Sequence, residues 1–256
     1  MSHLMNNYGR LPVSFDHGQG VWLWDKEGHK YLDALAGIAV NSVGHAHPRL
    51  VRAIADQASK LIHCSNYFNI DLQEKVAEKL VEHSGLEAVF FCNSGLEANE
   101  CAIKIARKFG HTKGIEVPNI IVLKHAFHGR SIATLSATGN PSVREDFSPY
   151  TEGFIFVDES DLNGIRKIVE ENKNVVAIFF EPILGGGGVV PIDLSVIKGI
   201  REICDEHDLL MMCDEVQCGM GRSGKWFAHQ WAEIKPDVIT MAKGSVSYTH
   251  LRAHET

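Results

Sequence analysis

The sequence predicts an α/β protein: a mainly parallel sheet flanked by helices, behind a small N-terminal lobe. Three observations carry that prediction. Six short apolar runs rich in branched residues recur from Ala88 onward, stretches of helical spacing separate them, and residues 21–35 alternate apolar with polar instead. Runs of this kind read as strands buried on both faces, as in parallel sheets whose crossovers are helices. With 256 residues and 45% hydrophobic content, the chain has enough apolar material for a substantial core.

The elements follow in order. Residues 21–35 carry Asp25-Lys26-Glu27-Gly28 at a turn, so an antiparallel ribbon opens the chain. A helix over 48–62 starts at Pro48 and aligns Leu50, Val51, Ile54, Ala58 and Leu61. The next, over 71–83, has Asp71 and Glu74 in capping-box spacing and Leu72, Val76 and Leu80 on one face. The six strand runs are 88–92, 120–123, 154–157, 175–180, 209–213 and 238–242, with helices over 95–109, 162–171 and 194–206 crossing between them. No internal repeat or low-complexity tract interrupts this pattern.

Composition narrows the function. The 25 basic and 32 acidic side chains are well mixed and give a formal charge of −7, so no basic stripe proposes a nucleic-acid or membrane-surface partner. The longest apolar strand is too short to cross a bilayer, and residues 1–9 lack the apolar core of a signal peptide, so a cytoplasmic protein is expected. Six cysteines without a CxxC pair read as reduced structural thiols. Among 14 histidines the densest group is Gly44-His45-Ala46-His47-Pro48, which reads as a loop opening a helix, with no third metal ligand nearby. No metal site is expected.

Four strand ends carry residues suited to one aldehyde cofactor. Cys92-Asn93-Ser94-Gly95-Leu96 lies between a strand and a helix, where free amides and a serine hydroxyl make a phosphate cradle; a simply capped helix fits the same residues. Phe127-His128-Gly129-Arg130 offers an aromatic to stack on a flat ring and a guanidinium to grip a carboxylate, although singly they fit a core ring and a surface cation. Glu181 and Asp214 each close an apolar strand, as helix caps or as anionic partners for a protonated heterocycle. Gln217 is placed to reach a ring oxygen. Lys243 ends the sixth strand, where desolvation makes an amine nucleophilic, or from which it snorkels to solvent. Together these ends offer a phosphate site, a ring stack, an acid for a ring nitrogen and an amine that traps an aldehyde, which points to pyridoxal 5′-phosphate.

Along residues 6–244 the chain resembles the class III (subgroup II) pyridoxal-phosphate aminotransferases. The matching stretches are Asn7-Tyr8-Gly9-Arg10-Leu11-Pro12-Val13, Gly44-His45-Ala46-His47-Pro48, Phe91-Cys92-Asn93-Ser94-Gly95, Phe127-His128-Gly129-Arg130, Asp214-Glu215-Val216-Gln217 and Met241-Ala242-Lys243-Gly244. The resemblance implies fold type I and catalytic roles for Lys243, which carries the cofactor, and Asp214, which keeps its ring nitrogen protonated. It implies cofactor contacts from Ser94, Gly95, Leu96, Phe127, His128, Glu181, Val216 and Gln217, with Phe127 and Val216 on opposite ring faces. Arg130 would bind the α-carboxylate of the donor. The implied reaction moves an amino group from a small-molecule donor, N-acetylornithine first, to 2-oxoglutarate in a cytoplasmic homodimer. Succinyldiaminopimelate, succinylornithine, ornithine and 4-aminobutyrate remain alternative donors.

Three departures qualify the resemblance. Family members usually read Glu-Pro-Ile-Gln-Gly-Glu-Gly-Gly where this chain has Glu181-Pro182-Ile183-Leu184-Gly185-Gly186-Gly187-Gly188, so both the glutamine and the second acid of that loop are absent. After Gly244 the family continues through a glycine-rich turn, whereas residues 245–256 match nothing expected and read as a foreign tail. The implied organisation is therefore a small-domain segment and connecting helix at 1–65, an incomplete cofactor-binding large domain at 66–244, and a missing C-terminal small domain. An antiparallel strand expected between runs 88–92 and 238–242 would be missing too, leaving two unpaired edges. The same motifs also fit a non-catalytic fragment.

Overall fold

The computed structural model describes residues 3–245. The chain forms two compact units, Met1–Ser65 and Asn66–Thr256. In the first, strands β1 (Phe15–Gln19), β2 (Trp22–Asp25) and β3 (Lys30–Leu32) make the expected antiparallel ribbon in the order β1-β2-β3. Its turn is held from within: the Asp25 carboxylate accepts from the amides of Glu27 at 3.1 Å and His29 at 2.8 Å, and Gly28 takes φ 87°. A short turn, α1 (Ala36–Ala39), precedes α2 (Pro48–Ala58), whose first residue is the proline.

Helix α2 stops before the predicted residue 62. The side-chain amide of Gln57 donates to the Leu61 carbonyl at 2.7 Å while the Lys60 and Leu61 amides turn back to the Gln57 carbonyl, so local hydrogen bonds end the helix where periodicity would continue it.

The second unit begins with α3 (Asp71–Ser84). Its N-cap is Ile70, with no side-chain cap, so the predicted capping box is not formed; Asp71 and Glu74 sit in the first turn, where carboxylates favour the positive helix end. Helix α4 (Gly95–Thr112) follows, then β4 (Asn119–Leu123), the short α5 (Ile132–Ala137) and α6 (Pro141–Arg144), and β5 (Phe154–Val157). Next come α7 (Leu162–Glu171), β6 (Val175–Phe180), the small hairpin β7 (Ile183–Leu184) and β8 (Val190–Pro191), α8 (Leu194–His207), β9 (Leu210–Asp214) and β10 (Val238–Thr240).

Five of the six predicted strands form one sheet in the order β10-β9-β6-β4-β5, every neighbouring pair parallel. Strand alternation divides its side chains between two layers. Ile121, Leu123, Ile178, Phe180, Met211 and Cys213 pack with Ile165, Val169, Ile197 and Ile200 of α7 and α8. Ile120, Val122, Ala177, Phe179 and Met212 pack with Ala102, Ile103 and Ala106 of α4. The buried stripe 99-102-103-106 of α4 has the i, i+3, i+4, i+7 spacing that turns one helix face to the sheet.

Residues 88–92, the first of the six predicted strands, form no strand and belong to no sheet, and Phe90 is 70% exposed. A strand is defined by its ladder, and among the described residues none pairs with this segment. A groove of about 1090 Å³, lined by residues 88–92, by Ala98, Ala102 and Ile105 of α4 and by β10, separates the segment from the sheet edge. Apart from Ser245, the predicted foreign tail lies outside the described residues.

Candidate active site

Because the sheet is parallel, the carboxyl ends of β4, β6, β9 and β10 open on one edge, and the chain leaving each carries predicted side chains. Asp214 ends β9 and is 3% exposed. Its Oδ2 accepts from Asn99 Nδ2 at 2.7 Å and from His128 Nδ1 at 2.8 Å, and its Oδ1 accepts from the Val216 amide at 3.0 Å. A carboxylate only accepts, so His128 carries its hydrogen on Nδ1. The ring of His128 stacks on Phe179 at 4.1 Å, its amide donates to Thr138 Oγ1 at 3.0 Å, and Asn99 also donates to its carbonyl at 2.7 Å. His128 and Asn99 therefore fix the direction of Asp214.

Glu181 follows β6 directly and is 5% exposed. One oxygen accepts from the Phe127 amide at 2.7 Å and the other from the Gly185 amide at 3.1 Å. Burial, followed by the nearby negative charge of Asp214, raises its carboxyl pKa from 4.5 to about 7. Phe127 thus hangs on Glu181 through its backbone, while the Arg130 guanidinium lies 5.8 Å from the Phe127 ring centre. A Cβ at Gly186 would come within 3.1 Å of Phe127 Cβ, so this departure from the family pattern lies beside the predicted ring stack. A Cβ at Gly185 would meet Gln217 Oε1 at 1.9 Å: only glycine lets Gln217 lie across that turn.

Lys243 opens a one-turn helix beyond β10 with φ 42°, a left-handed conformation uncommon for lysine. Its amine pKa is lowered, first by burial, with the negative charges of Asp214 and Glu181 opposing the shift. The acid that ends β9 and the amine beyond β10 therefore share one electrostatic neighbourhood, at the ends of two paired parallel strands.

At the start of α4, Ser94 caps the helix by accepting from the Glu97 amide at 3.2 Å, and no described protein group accepts from the amides of Gly95 and Leu96. Val216 and Ala242 close on this helix start: a Cβ at Gly95 would meet Val216 Cγ1 at 2.7 Å and Ala242 Cβ at 3.2 Å. Leu96 also borders Gly129, where a Cβ would lie 3.4 Å from its Cγ. The predicted residues thus converge from five chain segments of one unit.

These observations match what pyridoxal phosphate requires. Asp214 receives three hydrogen bonds where a carboxylate accepts about four, leaving room for one ring N–H donor. The free amides at an 18-residue helix N-terminus suit a phosphate, and the half-buried Lys243 has its protonated form disfavoured. Sequence reasoning passed over three contributors. Asn99 is the one polar residue on the buried stripe of α4, a signal visible in the pattern. Glu215 and His229 are fully buried with the carboxylate accepting His229 Nδ1 at 2.9 Å, and nothing in their spacing marks that contact. Among the described residues, no cluster of three or more potential metal ligands occurs and no helix is long and apolar enough to cross a membrane.

Comparison with known proteins agrees with this geometry. The model of the aminotransferase class-III family matches residues 4–247, and the chain belongs to that family. It is 54% identical over 244 residues to the acetylornithine aminotransferase of Nitrosomonas europaea, covering 95% of this chain and 62% of that protein. The acetylornithine aminotransferase of Synechocystis is 49% identical, with 95% and 58% covered. Among solved structures, the ornithine aminotransferase of Toxoplasma gondii superposes with TM-score 0.89 at 33% identity, covering 94% of this chain and 57% of that one; another structure of the enzyme shows partial occupancy of PLP at its active site. The N-acetylornithine aminotransferase of Stenotrophomonas maltophilia gives TM-score 0.79 at 39% identity, with 92% and 59% covered. The chain spans about three-fifths of the length of these relatives.

Proposed function

We propose that this chain supplies the cofactor-holding part of an aminotransferase that moves the δ-amino group of N-acetylornithine to 2-oxoglutarate, giving N-acetylglutamate semialdehyde and glutamate. The observation that carries the reading is the pairing of a pinned, buried Asp214 with a partly desolvated Lys243 at adjacent strand ends. The family and the names of its relatives supply the donor. A cytoplasmic homodimer belongs to the same proposal.

When bound, pyridoxal phosphate supplies a ring that withdraws electrons from the substrate carbon. Asp214 would hold positive charge at the ring nitrogen, and Asn99 and His128 fix its orientation for that role. The amides of Gly95 and Leu96 with the Ser94 hydroxyl hold the phosphate. Phe127 and Val216 would confine the ring, and Gln217 would serve its oxygen. Lys243 would be the residue to hold the cofactor's aldehyde and, as a free amine, the base that moves a proton at Nζ; burial lowers the cost of its neutral, basic form. Arg130 makes no ion pair with a described residue and is exposed, so its guanidinium is open to a donor carboxylate.

The glycine at 186 favours a second reading, another ω-amino donor, because the loop beside Phe127 lacks the acid usual in the family. A panel of N-acetylornithine, succinylornithine, succinyldiaminopimelate, ornithine and 4-aminobutyrate, offered to the protein loaded with pyridoxal phosphate, separates the two. Lys243→Ala is expected to abolish turnover and the visible absorbance of covalently held cofactor; a normal rate in that variant refutes the assignment.

A further inference from the structure

A second fully buried carboxylate network lies one residue past Asp214. Glu215 is 1% exposed and its carboxylate takes four donors. Oε1 accepts from the His229 amide at 2.8 Å and from His229 Nδ1 at 2.9 Å; Oε2 accepts from the Ala228 amide at 2.8 Å and from Cys218 Sγ at 3.2 Å. The Glu215 amide donates to the Thr240 carbonyl at 2.8 Å, closing β9 against the last residue of β10. One residue therefore ties the end of β9, the turn at Ala228–Ala232 and the strand leading to Lys243.

That junction faces the start of α4. Val216, next to Glu215, and Ala242, next to Lys243, both press on Gly95 so closely that a single Cβ there would collide with Val216. The spacing between the helix N-terminus and the lysine is thus set by how Val216 and Ala242 seat, and Glu215 fixes the backbone of the first while bonding to the strand of the second. Resting on the cofactor reading above, we infer that Glu215, anchored by His229, is a positioning residue that sets the distance between the phosphate-holding helix end and Lys243. It touches no reacting atom. Accepting four donors from two segments, Cys218 and the Ala228-His229 turn, satisfies the carboxylate on both oxygens, which suits a fixed support.

The test compares pyridoxal phosphate binding by the full chain, read as dissociation constant and as visible circular dichroism per bound cofactor, in wild type, Glu215→Gln, His229→Phe and the core control Ile165→Val. Glutamine turns an NH₂ toward donors that one oxygen served, so binding is expected to weaken about tenfold and the dichroism to change. His229→Phe removes the Nδ1 bond, keeps the His229 amide bond to Glu215 and places a somewhat larger ring in the same buried position, so it shifts both readouts the same way by less. The control lowers the melting temperature and leaves both readouts at wild-type values. Wild-type affinity and dichroism in His229→Phe, and in Glu215→Gln if it folds, overturn the inference whatever happens to the melting temperature. Failure of the wild-type chain to bind overturns the cofactor reading and this inference together, an outcome distinct from variants that match a binding wild type.

Discussion

At the scale of single residues, the site is built from side chains that hold other side chains. Asn99 is the clearest example, since its amide bridges Asp214 Oδ2 and the His128 carbonyl from within a helix otherwise packed with alanine and isoleucine. Asn99→Ala removes both bonds and leaves two buried acceptors short of a donor, an expected loss of about 1–3 kcal/mol in chemical denaturation. Glu181 gives a pH signature of defined sign. Its folded pKa is raised from 4.5 to about 7, so between those values the folded chain keeps a proton that the unfolded chain has released. Stability therefore falls as pH climbs from about 4.5 to about 7 and no longer changes with this group above that. Glu181→Gln is expected to flatten this slope in denaturation curves at a series of pH values; an unchanged slope assigns it to another group. The placement of Asp214 and Lys243 at the ends of two neighbouring strands was legible from position, because an ionisable residue closing an apolar strand is conspicuous. Glu215 and His229 were not, because their contact joins residues 14 apart through a turn that no periodicity announces.

At the scale of elements, strand exits are constrained by backbone packing as much as by side chains. Gly139 lies under the exit of β4, where its amide donates to the Ala126 carbonyl at 2.8 Å and an added Cβ would sit 2.1 Å from the Lys124 carbonyl oxygen. Gly139→Ala has to push that backbone aside, and with it the loop that carries Phe127 and His128. A lowered melting temperature together with weaker pyridoxal phosphate binding is the expected result; wild-type values for both contradict it. The central strands were predictable because burial on both faces demands an unbroken apolar run, and β6 is buried at every position. Helix ends were less predictable: α2 stops at Ala58 on local hydrogen bonds, and α3 starts without the capping contact its spacing suggests.

At the scale of the whole molecule, among the described residues the sheet ends at β10 on one side, and residues 88–92 line the groove of about 1090 Å³ without a ladder of their own. An open strand edge beside exposed Phe90 is a template for association. The chain expressed by itself is expected to self-associate, seen as concentration-dependent light scattering, and Phe90→Lys is expected to reduce it. A monodisperse species with a sharp cooperative melt refutes this.

The sequence by itself determined the α/β class, the parallel run of strands and the chemistry offered at their ends, since burial and strand period are local properties that composition records. Tertiary structure alone decided which strand run finds a neighbour, which way Asp214 points and what supports it. Those outcomes depend on groups distant in the chain meeting in space, and a pairing of that kind leaves no periodic trace in either partner.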